Sequence, residues 1–182
     1  MSSNCGRNFN PYAFPVPIQG AQGPQGLLGP IGPQGPVGPA ATRAYGSLYG
    51  NNTSRNTVLF TPIEFDTAGL ALDTTPDPFL NRITVLTAGV YEIRAELVIS
   101  QVTEQNVILG IFLDGNTLAP PLTGSIIEQG NNDAAIGSTV GKTIFANLGI
   151  SQFIQLIPTF VGNTGGSVVQ TYRNANLTMR LL

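Results

Sequence analysis

Side chains able to carry acid–base, nucleophilic or metal chemistry are sparse in this chain of 182 residues. Histidine is absent, cysteine occurs once as Cys5, and lysine once as Lys142. Without an imidazole there is no Ser-His-Asp triad, no Cys-His pair and no histidine metal site. Two carboxylate pairs, Glu64/Asp66 and Asp73/Asp77, could be imagined doing general acid–base work. The setting of the second, Asp73-Thr74-Thr75-Pro76-Asp77-Pro78, reads instead as a turn with solvated side chains. No run of acidic residues has calcium-loop spacing, and the glycine pairs lack a phosphate-loop pattern. The expectation is a protein that is not an enzyme, with no catalytic residues, no metal and no cofactor.

The spacing that does carry information belongs to glycine. Gly20, Gly23, Gly26, Gly29, Gly32, Gly35 and Gly38 recur at every third position without interruption. Only glycine fits the crowded axis where three polyproline-type chains wind together, so this period predicts a triple helix. A flexible Gly/Pro linker has no reason to keep such a register. At roughly 3 Å per residue the rod would span about 60 Å. It carries no charge, its third triplet position is never proline, and Leu27, Leu28, Ile31 and Val37 would point outward. So short a rod needs a trimeric head to align its chains, and its exposed aliphatics could pack on a neighbour.

Composition bounds the rest. Charged residues are 10% of the chain and the net charge is −2, without blocks of like charge. Nothing here attracts a phosphate backbone or an anionic membrane, so neither nucleic acid nor membrane is expected as a partner. No apolar run approaches the roughly 20 residues needed to cross a bilayer. The N-terminus lacks the charged-then-apolar pattern of a secretory signal. Low charge and a collagen-like rod nevertheless suit an exposed surface, reached by lysis or by maturation of a spore, so export without a classical signal peptide is expected.

Three segments follow. Residues 1–19 hold Phe9, Pro11, Tyr12 and Phe14 within an aromatic, proline-rich stretch that must be extended. A mobile tail is one reading; the favoured one is a docking arm whose side chains fill pockets on a partner. Cys5 cannot make an intrachain bond. It is either an idle thiol or, with three copies near one axis, a disulfide between subunits or between trimers. Residues 20–40 are the rod, and residues 41–182 the head.

The head reads as all-β. Tyr91, Ile93, Ala95, Leu97 and Ile99 alternate with Glu92, Arg94 and Glu96, a half-buried strand whose charged row is either ion-paired or simply wet. Further strands are expected at Thr57–Phe60, Arg82–Leu86, Asn106–Leu113, Ser138–Ala146, Phe153–Val161, Ser167–Tyr172 and Ala175–Leu182, separated by Gly/Asn/Asp turns. Many short strands without a helical period mean a sandwich or jelly roll. The strands around Val107–Leu113 and Phe153–Val161 are apolar on both faces, which predicts that one face of each lies in a subunit seam.

A short collagen-like rod joined to such a head resembles the complement and tumour-necrosis-factor jelly-roll trimers. The local matches are Gly89-Val90-Tyr91-Glu92-Ile93, the family's Gly-x-Tyr strand start, the segment Asn147–Leu156, and the terminal strand Leu177–Leu182. Ser151-Gln152 stand where those relatives usually carry Gly-Asp. The whole chain is similar to the collagen-like spore-surface proteins of Bacillus, the BclA type, whose proline-rich leader attaches them to the spore coat and among which are subunits of endospore appendage fibres. The resemblance implies a homotrimer at the exosporium or on an appendage, joined head to tail through the arm into a fibre, with another spore coat or anchor protein as a further partner. The alternatives are a stalk-displayed adhesin or ligand-binding head, with loops such as Ser125 to Ala135 doing the binding, and a phage tail-fibre tip.

Overall fold

The computed structural model describes residues 18–32, 35, 42–100, 105–129, 137–163 and 170–182. The chain divides into two compact units, Met1–Pro39 and Ala40–Leu182. In the first, the described residues are extended and form no helix or strand. Ile18, Leu27, Leu28 and Ile31 are almost fully exposed. Phe9, Pro11, Tyr12, Phe14, Cys5, Val37 and Gly38 lie outside the described residues.

The second unit consists of strands: β1 (Tyr45–Tyr49), β2 (Arg55–Asn56), β3 (Thr67–Ala68), β4 (Thr74–Asp77), β5 (Arg82–Val85), β6 (Gly89–Ser100), β7 (Gln105–Leu113), β8 (Ile127–Gln129), β9 (Ser138–Leu148), β10 (Phe153–Asn163) and β11 (Thr171–Leu181). Among the described residues there is no helix. The strands form two antiparallel sheets, one in the order β3-β1-β11-β6-β9 with β2 also on β11, the other β4-β5-β10-β7-β8. Period-two patterning explains the layers. β6 sends Tyr91, Ile93, Ala95, Leu97 and Ile99 inward to meet Ile83, Val85, Leu109, Ile111, Ile154 and Leu156 of the other sheet, all essentially solvent-free.

The Gly-x-Tyr start of β6 has two physical causes. A Cβ on Gly89 would lie 2.4 Å from Leu181 Cδ1. The buried Tyr91 hydroxyl donates to the Thr87 carbonyl oxygen at 2.6 Å, tying the incoming turn to the strand. Burial also pushes the Tyr91 phenol above its ordinary value.

Three sequence expectations need correction. Residues 57–60 are not a strand: Val58 to Thr61 form a turn closed by Thr61 N–H to Val58 O, with Phe60 at φ 57°. Their apolar character looks strand-like, but what they supply is two donors to the free edge of β10: Phe60 N–H reaches Pro158 O and Ile63 N–H reaches Leu156 O. The segments 167–172 and 175–182 belong, as far as they are described, to one strand. β11 runs through a bulge between Arg173 and Asn176, absorbed by Asn174 at φ 50°. Asparagine tolerates that left-handed conformation and so mimics a strand break in sequence. Last, the doubly apolar strands cover half of their second face without a partner. On the outer face of the β10/β7 pair, Ile157 and Phe112 are 1% and 2% exposed. Pro121 leans over them, close enough that a Cβ on Gly110 would meet its Cβ at 2.6 Å. Leu122 N–H bonds to Ile111 O and Ile111 N–H to Ser125 Oγ, so the loop holding Pro121 is laced to β7.

Candidate interaction surface

The outer face of the six-stranded sheet brings the sequence's charged row together with residues from four strands. Register places Tyr45, Arg180, Glu92 and Phe145 side by side in one row, Ser47, Thr178, Arg94 and Thr143 in the next, and Tyr49, Asn176, Glu96 and Gly141 in a third. The charges of Glu92, Arg94 and Glu96 are paired. Arg180 Nε and Nη2 donate to Glu92 Oε2 at 2.9 and 2.6 Å, and Arg94 bonds to Glu96 on the same strand. Around them Phe145, Tyr49 and Tyr45 keep 64%, 41% and 39% of their surface in solvent. Gly141 lets the Glu96 stem cross the edge strand, since a Cβ there would meet Glu96 Cγ at 2.5 Å.

Three shallow hollows of about 220, 200 and 310 Å³ lie along this face, and Arg94 lines each of them. Asn176 borders the middle one, and its Oδ1 is buried without a hydrogen-bond partner. Hydroxyls, an amide, exposed aromatic rings and neutralised charge equip this face for docking.

A second cluster holds the loop after β1. Arg55 bonds Asp66 through Nη1 at 2.9 Å and lies 3.1 Å from Glu64 through Nε. Asn51 N–H donates to Asp66 Oδ2 at 2.7 Å, and Glu64 N–H donates to the Tyr172 hydroxyl at 2.8 Å. The Arg55 hydrogen bond, then the Asn51 amide, hold the Asp66 carboxyl below its usual range; the same Arg55–Asp66 bond raises the guanidinium, and burial raises the Tyr172 phenol. Glu64 and Asp66 thus share one guanidinium and act as a structural clip. The turn expected at residues 73–78 is instead strand β4, Thr74–Asp77 pairing with β5. Only past it does Asp77 Oδ1 accept from Phe79 and Leu80 N–H, and Asp73 sits at φ 50° with its carbonyl accepting from Leu86 N–H. Among the described residues no three His, Cys, Asp or Glu side chains are grouped to hold a metal ion.

The proposed ligand loop starting at Ser125 also needs correction. Ser125 is solvent-free and bonded to Ile111, and Ile127–Gln129 is strand β8; residues 130–136 lie outside the described residues. Gly20, Gly23, Gly26, Gly29, Gly32 and Gly35 are exposed, and a Cβ added at any of them would meet nothing within 4 Å. Sequence reasoning missed Tyr45, Tyr49, Phe145, Asn176 and Arg55. The available signal was the alternation toward the end of β9, β1 offering none, and only the cross-strand register reveals which rows coincide.

Two face-packed antiparallel sheets in this strand order form a jelly roll. Solved structures similar to it include the globular domain of zebrafish complement 1qA protein, with a TM-score of 0.57 and 15% identity over 78% of this chain and 98% of that one. Eiger TNF from S. frugiperda matches with a TM-score of 0.59 and 8% identity over 77% of this chain and 92% of that one. Murine APRIL at pH 5.0 gives 0.54 and 11%, over 78% and 100%. At such identities the likeness is one of fold. No family model and no curated protein matches the chain.

Proposed function

We propose that this chain is a structural subunit of a bacterial endospore surface fibre or exosporium appendage, built from collagen-stalked homotrimers joined head to tail through the N-terminal arm. The observation that carries the reading is the glycine period taken with its surroundings. Nothing within one chain requires glycine at the six described positions, because a Cβ would meet open space at each. A triple helix requires it at all of them. The outer face of the six-stranded sheet, with its exposed aromatic rings, is the seam through which three heads would associate. The spore assignment rests on the resemblance to collagen-like spore-surface proteins and on the low charge of the chain.

The fibre reading is preferred to a ligand-binding head because Ser125, the start of the loop expected to bind, is buried in the head. Light scattering and circular dichroism test the trimer. A solution mass of three times 19.1 kDa with a collagen-type spectrum is the expected result, and a lone subunit without that spectrum overturns it. Electron microscopy tests the fibre: the full chain should form filaments, and the chain lacking residues 1–19 should form discrete particles.

A further inference from the structure

The head has two ends. At the near end the chain enters at Ala44 and Tyr45, Leu181 N–H closes onto Ala44 O, and the connections 86–88 and 149–152 turn. At the far end β6 passes to β7, β10 to β11 and β8 to β9, and Thr57 N–H bonds to Gln170 O. On the five-stranded sheet the near half of the outer face is roofed by Pro121. Its far half is not. There Phe160 and Ile108 face each other across the strands, with Phe160 47% exposed and its ring lying over Gly162. Beside them, held by Phe60 N–H to Pro158 O, runs Val58-Leu59-Phe60, exposed by 54%, 45% and 53%.

Val58, Leu59, Phe60 and Phe160 carry no charge, with the exposed Glu128 lying beyond Ile108 at the edge of the same row, and the patch is maintained against a local cost. Phe60 occupies the third position of its turn at φ 57°, a conformation suited to glycine or asparagine and rare for a bulky residue. Strain of this kind persists where the surrounding structure enforces it, and it clusters at binding sites. The ring it presents stays half in water.

We infer that this far-end patch of Val58, Leu59, Phe60 and Phe160 is the receptor for the aromatic, proline-rich arm, residues 9–18, of a second copy. The inference rests on the head-to-tail reading and names the surface that reading needs. Pro11, Pro15 and Pro17 favour an extended backbone, and proline-rich extended segments dock on aromatic platforms, here Phe60 and Phe160. Phe9, Tyr12, Phe14 and Ile18 supply apolar anchors, and Ile18 is 96% exposed in its own chain. The arm and the four anchoring side chains of the patch are uncharged, and Glu128 stands at the rim beyond Ile108. The patch lies at the end opposite to chain entry, so the contact joins different surfaces and does not close, which generates a linear filament. A trimer offers three arms to three patches.

The test uses the full chain. Leu59→Ser with Phe60→Gly removes two anchors, and the glycine relieves the left-handed strain, so the head keeps its fold by circular dichroism and its trimeric mass. Pelletable filament should fall by about tenfold or more, as expected for loss of central apolar anchors. A synthetic peptide of residues 7–19 should compete with assembly of the unaltered chain. A benzophenone amino acid at position 59 should cross-link to residues 9–18 of another copy. Filaments unchanged in the double variant but abolished by deleting residues 1–19, or cross-links to any other segment, overturn the patch and leave the head-to-tail reading standing. Filaments surviving that deletion, or none from the unaltered chain, overturn both.

Discussion

Glycines of identical appearance in the sequence do unlike work in the fold. Gly46 of β1 faces β4 and β5 of the other sheet at close range: a Cβ there would stand 2.3 Å from Thr74 Oγ1 and 3.1 Å from Ile83 Cγ2. Gly46→Ala is therefore expected to overpack the core and cost about 1–3 kcal/mol in denaturant unfolding, because Thr74 is short and itself bonded to Tyr45 O. Tyr91→Phe should cost about 1–2 kcal/mol in the same measurement, since the Thr87 carbonyl loses its partner from a fully buried hydroxyl. Ser151 shows the limit of local reading. It stands at φ 70°, a left-handed conformation that favours glycine, so the backbone makes a demand that the residue itself does not signal. Cys5, which the sequence marks out by its solitude, has no described surroundings to choose between an idle and a bridging thiol.

At the scale of elements, alternation in β6 was legible because each inward residue is apolar and each of Glu92, Arg94 and Glu96 is charged. β1 was not: its five residues, with Gly46 and Ser47 buried, show no contrast between faces. β4 reads as a turn because Asp and Pro punctuate it, yet Thr74 to Asp77 pair with β5 along its whole length. The loop between β1 and β3 was equally opaque, since its clip joins Arg55 directly to carboxylates downstream and is anchored by the Glu64 N–H donating to a hydroxyl on β11. That clip makes a pH prediction. Asp66 has its carboxyl held below the ordinary value, so the clip contributes above that ordinary value and is lost as pH falls through the lowered one. The hydrogen-exchange protection of the Asn51 amide, which donates to Asp66, should drop as pH falls below about 4, the usual carboxylate range. Asp66→Asn should lower that protection at neutral pH and flatten its acid dependence; an unchanged profile would show that the loop is held otherwise.

The whole molecule is where sequence and fold divide the information between them. On the proposed reading the glycine period calls for three chains but says nothing of where the heads would touch, and the sheet register offers a face for that contact. If the outer face of the six-stranded sheet is the seam, its charge pattern must matter to assembly more than to folding. Arg94 is the residue to change: it lines all three hollows and its own side chain is 57% exposed, so the head does not depend on it for packing. Arg94→Glu would set three acidic side chains in one row between Glu92 and Glu96. In the free head, water screens most of that repulsion, and the change should move unfolding by about 1 kcal/mol or less. Across a desolvated seam Glu92 keeps Arg180, but Glu96 loses its partner and faces a second carboxylate, and such a like-charge juxtaposition costs several kcal/mol per contact, repeated at each of three symmetric interfaces. The expected outcome is a solution mass that drops toward 19.1 kDa while the β-type circular dichroism of the head persists, together with loss of the collagen signal, since a rod this short depends on its heads for alignment. A variant that stays trimeric would place the seam on another face and return Arg94 to the role of an ordinary solvated ion pair.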